Sequence, residues 1–106
     1  MPSVTPVAAA TILRAAAEAG YDEPLLRLAA RFDEDTDQLQ FGIGFDERRE
    51  QDLEVISEGV TVLVSPPSQP AVDDLVIDYV EYEPGDFRFI FYRAGSAPSG
   101  EGSTGP

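Results

Sequence analysis

LVIDYVEYEPGDFRFIFY, residues 75–92, is the segment of the sequence that says most about the fold. It predicts two strands joined at Pro84 and Gly85, because proline presets φ at the first central position of a type II turn and glycine accepts the positive φ at the second. Phenylalanine then occupies every second position over 87–91, as on one face of a strand. An isolated hairpin is marginally stable at best, so we expect the rest of the chain to cover it and the hairpin to lie in the middle of a sheet.

Composition and charge bound the class of protein. The 106 residues, 42% of them hydrophobic, suffice for one domain with one core. Twenty acidic residues against seven basic ones, all arginine, give a net charge of −13. That charge repels phosphate backbones and anionic bilayers, so we expect no nucleic-acid or membrane partner. No apolar run reaches the ~20 residues of a membrane span. The N-terminus also lacks the basic start of a signal peptide, so we expect a cytoplasmic protein.

The chain contains neither cysteine nor histidine. This excludes a disulfide framework, a thiolate nucleophile, a cysteine metal site and Ser-His-Asp catalysis. No glycine-rich stretch resembles a phosphate-binding loop. We therefore predict that the protein is not an enzyme and carries no cofactor.

The remaining elements follow from start, stop and alternation signals. Thr5 and Pro6 are a typical N-cap and first residue of a helix over 6–19, which Gly20 ends. An apolar stripe at helical spacing is predicted to pack on a sheet: Ala9, Ile12, Leu13, Ala16 and Gly20. Strands are predicted before the central hairpin at 25–32, 38–45, 53–56 and 60–64.

The end of the chain and one short segment complete the prediction. A turn of helix is expected over 69–74, after a proline-rich break. Residues 95–106 are mostly glycine, serine and proline, with almost no apolar content. We predict a disordered tail there, which leaves one domain at residues 1–94.

The acidic loop at 33–37, DEDTD, begins like a calcium-binding loop, in which several oxygens converge on a hard cation. The rest of the pattern fails, because Gln38 stands where the sharp-turn glycine is required and Gly44 where a bidentate glutamate belongs. A solvated hairpin loop is therefore favoured. If a metal were bound here, its ligands would be Asp33, Glu34, Asp35 and Asp37.

Two further positions carry structural predictions. Asp78 alternates with Val76 and Val80, so we expect a partly buried carboxylate that accepts hydrogen bonds from backbone amides. Gly42 and Gly44 lie inside a strand pattern, which predicts close packing against them.

Five motifs occur in a fixed order between residues 26 and 89: LRL at 26–28, FGIGFD at 41–46, EGVTVLV at 58–64, IDYVE at 77–81 and GDFRF at 85–89. Together with the N-terminal helix, this order resembles the A-type iron–sulfur carrier family, the HesB/IscA-like proteins. The resemblance implies an α+β, HesB-like domain. It would have twisted mixed or antiparallel sheets, as a sandwich or barrel of about six to seven strands. The N-terminal helix and a short second helix would cover them.

Members of that family hold iron or a cluster through three cysteines. Aligned on these motifs, the first cysteine falls at about Asp35 or Thr36 and the other two near Pro98 and Gly100. None of these residues can bind through sulfur, so the resemblance implies the fold and not the chemistry. A cysteine-free, DsrR-like branch occurs alongside sulfur-oxidation proteins, and the Glu-Pro-Gly turn with its FxFIF strand resembles that branch.

The resemblance implies an accessory or regulatory protein-interaction module in sulfur oxidation or iron–sulfur metabolism, with a protein partner from that machinery. We expect a monomer or a weak homo-oligomer. Loops on a rigid sheet often carry contacts, so the loops at 33–37 and 47–52 are the expected surfaces. Their predicted contact residues are Asp35, Asp37, Arg48 and Arg49. The alternative is a weak carboxylate-based iron or hard-metal carrier, for which the tail offers only Glu101 as a further ligand.

Overall fold

Residues 1–95 are described by a computed structural model and form two packed β-sheets with two α-helices. The elements in chain order are β1 (Ser3–Val4), α1 (Pro6–Ala19), β2 (Leu25–Asp33), β3 (Gln38–Phe45), β4 (Leu53–Ser57), β5 (Val60–Val64), α2 (Gln69–Val72), β6 (Leu75–Glu83) and β7 (Asp86–Arg93). A 3₁₀ turn at Pro66–Ser68 leads into α2. Neither α-helix in this part of the chain is long and apolar enough to cross a membrane.

The larger sheet has the strand order β3-β2-β5-β4 and the smaller one β1-β6-β7. Both are mixed, since β2 pairs parallel to β5 and β1 parallel to β6, while the hairpin partners are antiparallel. The predicted α+β class is confirmed. Of the two predicted arrangements the structure has the open sandwich, because the two sheets are not hydrogen-bonded into a closed barrel.

The prediction that the central hairpin lies in the middle of a sheet is wrong in part. Strand β7 is an edge strand, and β6 has only the two-residue β1 on its other side. The hairpin is covered across its face instead of along its edges. Leu75 and Ile77 are buried, and Phe89 and Phe91 pack on the same core. The alternation of apolar residues predicts that one face of the hairpin is buried, and a second sheet packed on that face buries it.

The core lies between the two sheets and under α1. The apolar alternation predicted for β2 is confirmed in its first half, since Leu26 and Leu28 are buried and Arg27 points to the other face. It is wrong at the far end, where Phe32 is 54% exposed. The core positions are Val4, Ala8, Ala9, Ile12, Leu26, Leu28, Val55, Val60, Val62, Val64, Val72, Leu75 and Ile77.

Helix α1 begins and ends as predicted. The Thr5 hydroxyl accepts a hydrogen bond from the Ala8 amide at 3.3 Å, and Gly20 ends the helix with a φ of 84°. Most of the predicted stripe is buried, which lets the helix approach the strands closely. Two stripe residues are exposed: Gly20, which ends the helix, and Leu13, which is 37% exposed and lies over the β4–β5 turn rather than over the sheet.

Candidate functional site

The acidic loop at 33–37 is the turn between β2 and β3. Asp33 accepts hydrogen bonds from the Asp35 amide at 3.0 Å and from the Gln40 side chain at 3.2 Å. Asp37 has a φ of 59°, the left-handed region that aspartate tolerates at turns. The carboxylate of Asp33 therefore shapes the turn, as in a solvated hairpin loop.

The four acids of this loop do not converge on one point. Among residues 1–95 no group of three or more acidic side chains is close enough to hold a metal ion. The structure thus does not assemble Asp33, Glu34, Asp35 and Asp37 into a ligand set. Pro98, Gly100 and Glu101 lie outside the described residues, as does the predicted disordered tail from residue 96 onward.

The second predicted loop, 47–52, is built around Arg27, which the sequence analysis did not single out. Its guanidinium donates to Asp46 at 2.6 Å and in a bidentate pair to Asp52 at 2.8 and 2.7 Å. It also donates to the Glu47 carbonyl at 3.0 Å. Only 12% of the Arg27 side chain and 1% of the Asp52 side chain are exposed. The arginine of the LRL motif therefore fixes the loop that follows β3.

The charges in this network stabilise one another. Hydrogen bonds from Arg27 lower the pKa of Asp52 to about 2. The Glu47 amide first, and Arg27 second, lower the pKa of Asp46. Both carboxylates therefore stay ionised over the whole physiological range, and the network is a structural one.

The two predicted contact arginines already have acidic partners. Arg48 donates to Glu23 at 3.0 and 2.9 Å and to Glu54 at 3.1 and 3.0 Å, which lowers the pKa of Glu23. Arg49 lies 3.3 Å from Asp46. A partner's carboxylate would have to compete with these acids for either arginine.

The two predicted loops lie at opposite ends of the β2–β3 hairpin. The amide of Asp46 donates to the carbonyl of Leu25, so the 47–52 loop starts where β2 begins, whereas 34–37 is the turn at its far end. At ~3.3 Å per residue, eight strand residues separate them by about 26 Å. Asp35 and Asp37 therefore form one surface, and Arg48 and Arg49 another.

An apolar groove opens beside Phe45, and the sequence analysis missed it. We name it the Phe45 groove. Its volume is about 260 Å³. Its lining has one hydroxyl group, that of Thr11, which donates to the Val7 carbonyl at 3.2 Å. The lining residues come from α1, β2, β3 and β7: Thr11, Ile12, Ala15, Leu26, Ile43, Gly44, Phe45 and Phe89.

Aromatic rings extend the apolar surface at both ends of the groove. Tyr21 packs on Phe45 with ring centroids 5.0 Å apart. Phe89 packs on Tyr79 at 4.7 Å, and Tyr79 stacks on Phe87 at 5.7 Å. Phe87 is 52% exposed, so this apolar surface continues out to solvent along the hairpin.

A second hollow of about 390 Å³ shares Phe45 with the groove. We name it the acidic cleft, because four of its lining residues are acids: Asp22, Glu23, Asp46 and Glu47. Glu23 and Asp46 are paired with arginines. Asp22 and Glu47 have no ion pair within residues 1–95. Nothing in the sequence indicated that Asp22 and Glu23, before β2, lie beside Asp46 and Glu47, after β3.

The predicted close packing against Gly42 and Gly44 is wrong. A Cβ atom at either position would meet nothing within 4 Å. Both glycines instead leave a shallow hollow on the outer face of β3, next to Arg27. The pattern of glycines alternating with apolar residues correctly placed them on the face opposite the core.

Asp78 joins the helix to the smaller sheet. It accepts hydrogen bonds from the Thr5 hydroxyl at 2.7 Å, the Tyr79 amide at 2.8 Å and the Tyr92 hydroxyl at 3.4 Å. The predicted partly buried carboxylate is confirmed, with one backbone amide among its three donors. Burial first, and Asp78 second, raise the pKa of Tyr92. The aspartate of the IDYVE motif is therefore a structural residue.

The two open mixed sheets, the N-terminal helix and the short second helix match the fold of solved IscA and SufA structures. No family model matches the chain, and neither does any curated protein. Solved structures do match it.

The matches cover most of the chain. IscA with a [2Fe-2S] cluster has a TM-score of 0.71 and 22% identity over 92% of this chain and 88% of that one. Escherichia coli SufA, involved in the biosynthesis of iron–sulfur clusters, has a TM-score of 0.74 and 20% identity over 91% and 82%. A protein from Aquifex aeolicus, solved by NMR, has a TM-score of 0.64 and 28% identity over 86% and 89%. These matches confirm the predicted fold, whereas the cysteine-free DsrR-like branch stays a prediction.

Proposed function

We propose that this chain is a cysteine-free relative of the A-type carriers that binds no iron–sulfur cluster. It acts as a non-catalytic accessory or regulatory module in iron–sulfur metabolism or sulfur oxidation, through contacts with other proteins. The single observation that carries this proposal is a carrier fold in a chain with no cysteine and no histidine. A cluster needs thiolate or imidazole ligands, and this sequence has neither.

The loop that would hold the first ligand supports the proposal. Asp35 and Thr36 lie in an exposed turn whose hydrogen bonds run through Asp33. The turn is closed by its own side chains and needs no metal. The four acids offer the alternative hard-metal site, but they do not converge, so no observation favours that function over the first.

The nature of the partners rests on the likeness to IscA and SufA. A protein with this fold and without the ligands can still present the same framework to the proteins that handle clusters or sulfur. The DsrR-like features, which are the Glu-Pro-Gly turn and the FxFIF strand, favour sulfur oxidation as the process.

Anaerobic reconstitution tests the loss of cluster binding. The purified protein, incubated with ferrous iron and sulfide and then desalted, is expected to be colourless and to hold far less than one iron per chain. The matched control restores the ligands, with Asp35→Cys or Thr36→Cys combined with Pro98→Cys and Gly100→Cys. A brown restored variant would show that the conditions load a site of this geometry. Stoichiometric iron and sulfide on the unmodified chain would refute the proposal.

Metal titration by calorimetry distinguishes the proposed function from the alternative, a carboxylate-based metal carrier. We expect no binding of ferrous iron, manganese or calcium at micromolar concentration. One-to-one binding that Asp33→Asn and Asp35→Asn together abolish would replace our proposal with the carboxylate carrier.

Partner capture tests the proposed role. The tagged protein is used to capture partners from a native lysate of the source organism, and these are identified by mass spectrometry. Recovery of iron–sulfur or sulfur-oxidation proteins supports the role. Recovery of none, or only of unrelated proteins, contradicts it.

A further inference from the structure

We infer that the Phe45 groove and the acidic cleft together bind a basic amphipathic segment of a partner protein, with a bulky apolar side chain in the groove and arginine or lysine in the cleft. This inference rests on the proposed function, because it names the class of partner. The surface includes Glu47 of the predicted 47–52 loop, but it includes none of the four predicted contact residues Asp35, Asp37, Arg48 and Arg49.

The groove has the features of a site for an apolar side chain. Its lining is apolar apart from one hydroxyl that already donates to Val7. Its floor includes Ile12, which is buried, and its walls include the aromatic rings of Phe45 and Phe89. Aromatic walls around a small hollow are typical of the few positions that dominate binding energy at interfaces.

The charge beside the groove selects the partner. The cleft shares Phe45 with the groove, and its Asp22 and Glu47 have no ion pair within the described part of the chain. A cation next to the apolar side chain would be attracted to both carboxylates, whereas an anionic or acidic ligand would be repelled. Cationic amphipathic segments in apolar grooves are an established mode of peptide recognition.

Two other occupants fit less well. A second copy of the chain also carries a net charge of −13, so two copies repel each other. The segment 96–106, SAPSGEGSTGP, has no bulky apolar side chain and no basic residue to supply. The charge and the shape of the surface therefore favour a partner that is both basic and apolar.

The test uses a fluorescent amphipathic peptide with leucine on one face and lysine on the other, measured by anisotropy against the full chain. A peptide with glutamate in place of each lysine is the charge control. We expect the lysine peptide to bind at micromolar concentration and more weakly at high salt, and the glutamate peptide not to bind. No binding of the lysine peptide, or equal binding of both peptides, would overturn the inference.

A pair of variants on α1 separates the groove from general attraction between charges. Ala15 lines the groove and Ala17 does not, and both are exposed. Ala15→Trp fills the groove, so we expect about tenfold weaker binding. Ala17→Trp adds the same side chain to the same helix elsewhere and should change affinity by less than about twofold. Equal affinity for both variants would refute the groove as the site.

A second pair of variants, equal to each other in net charge, tests the cleft. Asp22→Asn with Glu47→Gln removes the two unpaired acids. This variant should bind the lysine peptide about threefold to tenfold more weakly, and its affinity should depend less on salt. Asp35→Asn with Asp37→Asn removes the same charge at the far turn and should have less than about a twofold effect. An equal loss of affinity in the two double variants would refute the cleft as the site of the basic residues.

Sedimentation of the protein alone tests the competing occupant. A dimer that Ala15→Trp dissociates would assign the groove to a second copy and overturn the inference. The reconstitution experiment is independent of all these measurements, since a colourless protein that fails to bind the peptide refutes the groove alone. A brown protein refutes the proposed function.

Discussion

At the scale of single residues, Arg27 and Asp78 show what the charged positions in the strands are for. Arg27 holds Asp46 and Asp52 through nearly buried ion pairs, and Asp78 holds Thr5 and Tyr92. Each fixes an irregular segment to the end of a regular element. Both belong to motifs of the family resemblance, LRL and IDYVE, so in this chain those motifs serve the fold.

Substitution of Asp52 by asparagine should destabilise the protein by about 1–3 kcal/mol, because Arg27 then loses its charged partner in a nearly buried position. The native pKa of Asp52 is lowered from 3.8 to about 2. Its ionised form therefore stabilises the fold above pH 3.8, and that contribution is lost as the pH falls toward 2. Urea unfolding as a function of pH should show a smaller acid-side loss of stability in Asp52→Asn than in the unmodified protein.

Asp37→Asn is the matched control for this titration. Asp37 is exposed and makes no side-chain hydrogen bond within residues 1–95, and asparagine tolerates its φ of 59°. Parallel pH curves for Asp52→Asn and the unmodified protein would contradict the assigned role of the Arg27 pair.

At the scale of elements, tight turns decide how the strands pair. Glu58 and Gly59 have φ values of 52° and 83°, as in a type I′ turn, and this turn joins β4 to β5. Gly85 has a φ of 79°, which matches the predicted type II turn between β6 and β7. Gly44, in contrast, lies in a strand with open space around it.

The substitutions Gly59→Ala and Gly44→Ala should therefore have different effects on the free energy of unfolding. A Cβ in the left-handed region costs about 1–2 kcal/mol, so Gly59→Ala should lower the free energy of unfolding by that amount. Gly44→Ala meets no steric obstacle and should be neutral or stabilising by about 0.5 kcal/mol. Urea unfolding of the two variants side by side measures the difference. Equal destabilisation by both would show that backbone conformation is not the cause.

At the scale of the whole molecule, net charge opposes the compact state. Twenty acidic residues face seven arginines, and most of the described ion pairs are partly exposed and hence weak. Arg27 and Arg48 each form ion pairs with two acidic side chains. Elsewhere the surface acids repel one another with little compensation.

Salt should therefore raise the melting temperature. The screening length falls from about 10 Å at 0.1 M to about 3 Å at 1 M, so the self-repulsion weakens over that range. We expect a rise of several degrees in calorimetry between these concentrations. Sodium and potassium chloride should act alike, since screening does not depend on the identity of the cation. An unchanged or lower melting temperature would contradict this.

Most of the architecture was predictable from local signals. Thr5 with Pro6 starts a helix, Gly20 ends it, and Pro84 with Gly85 turns a hairpin, because each residue restricts its own backbone angles. Alternation correctly indicated the core-facing residues near the start of β2, whereas Phe32 and Leu39, at the far end of the hairpin, are exposed. The two acidic loops were also predictable as loops, and the eight-residue strand predicted between them already implies a separation of about 26 Å.

The candidate site was much less predictable. Phe45, Phe89 and Ala15 come from three elements, and nothing in their spacing along the chain indicates that they line one groove. Alternation in the strand predicts that Arg27 is a surface residue. In the fold its guanidinium donates hydrogen bonds to two aspartates that lie far from it along the chain. Contacts of this kind depend on how sheets and loops pack, which local patterns do not encode.

Residue identity and local spacing were enough to predict both helices, every strand except β1, the turns and the lack of any sulfur or imidazole ligand. These features depend on what each residue is and on its immediate neighbours. The packing of the whole chain, in contrast, places a second sheet over the aromatic hairpin, keeps the acids at 33–37 apart and brings an apolar groove next to an acidic cleft at Phe45. These features depend on residues far apart in the chain, whose positions are fixed only when the core between the two sheets is packed.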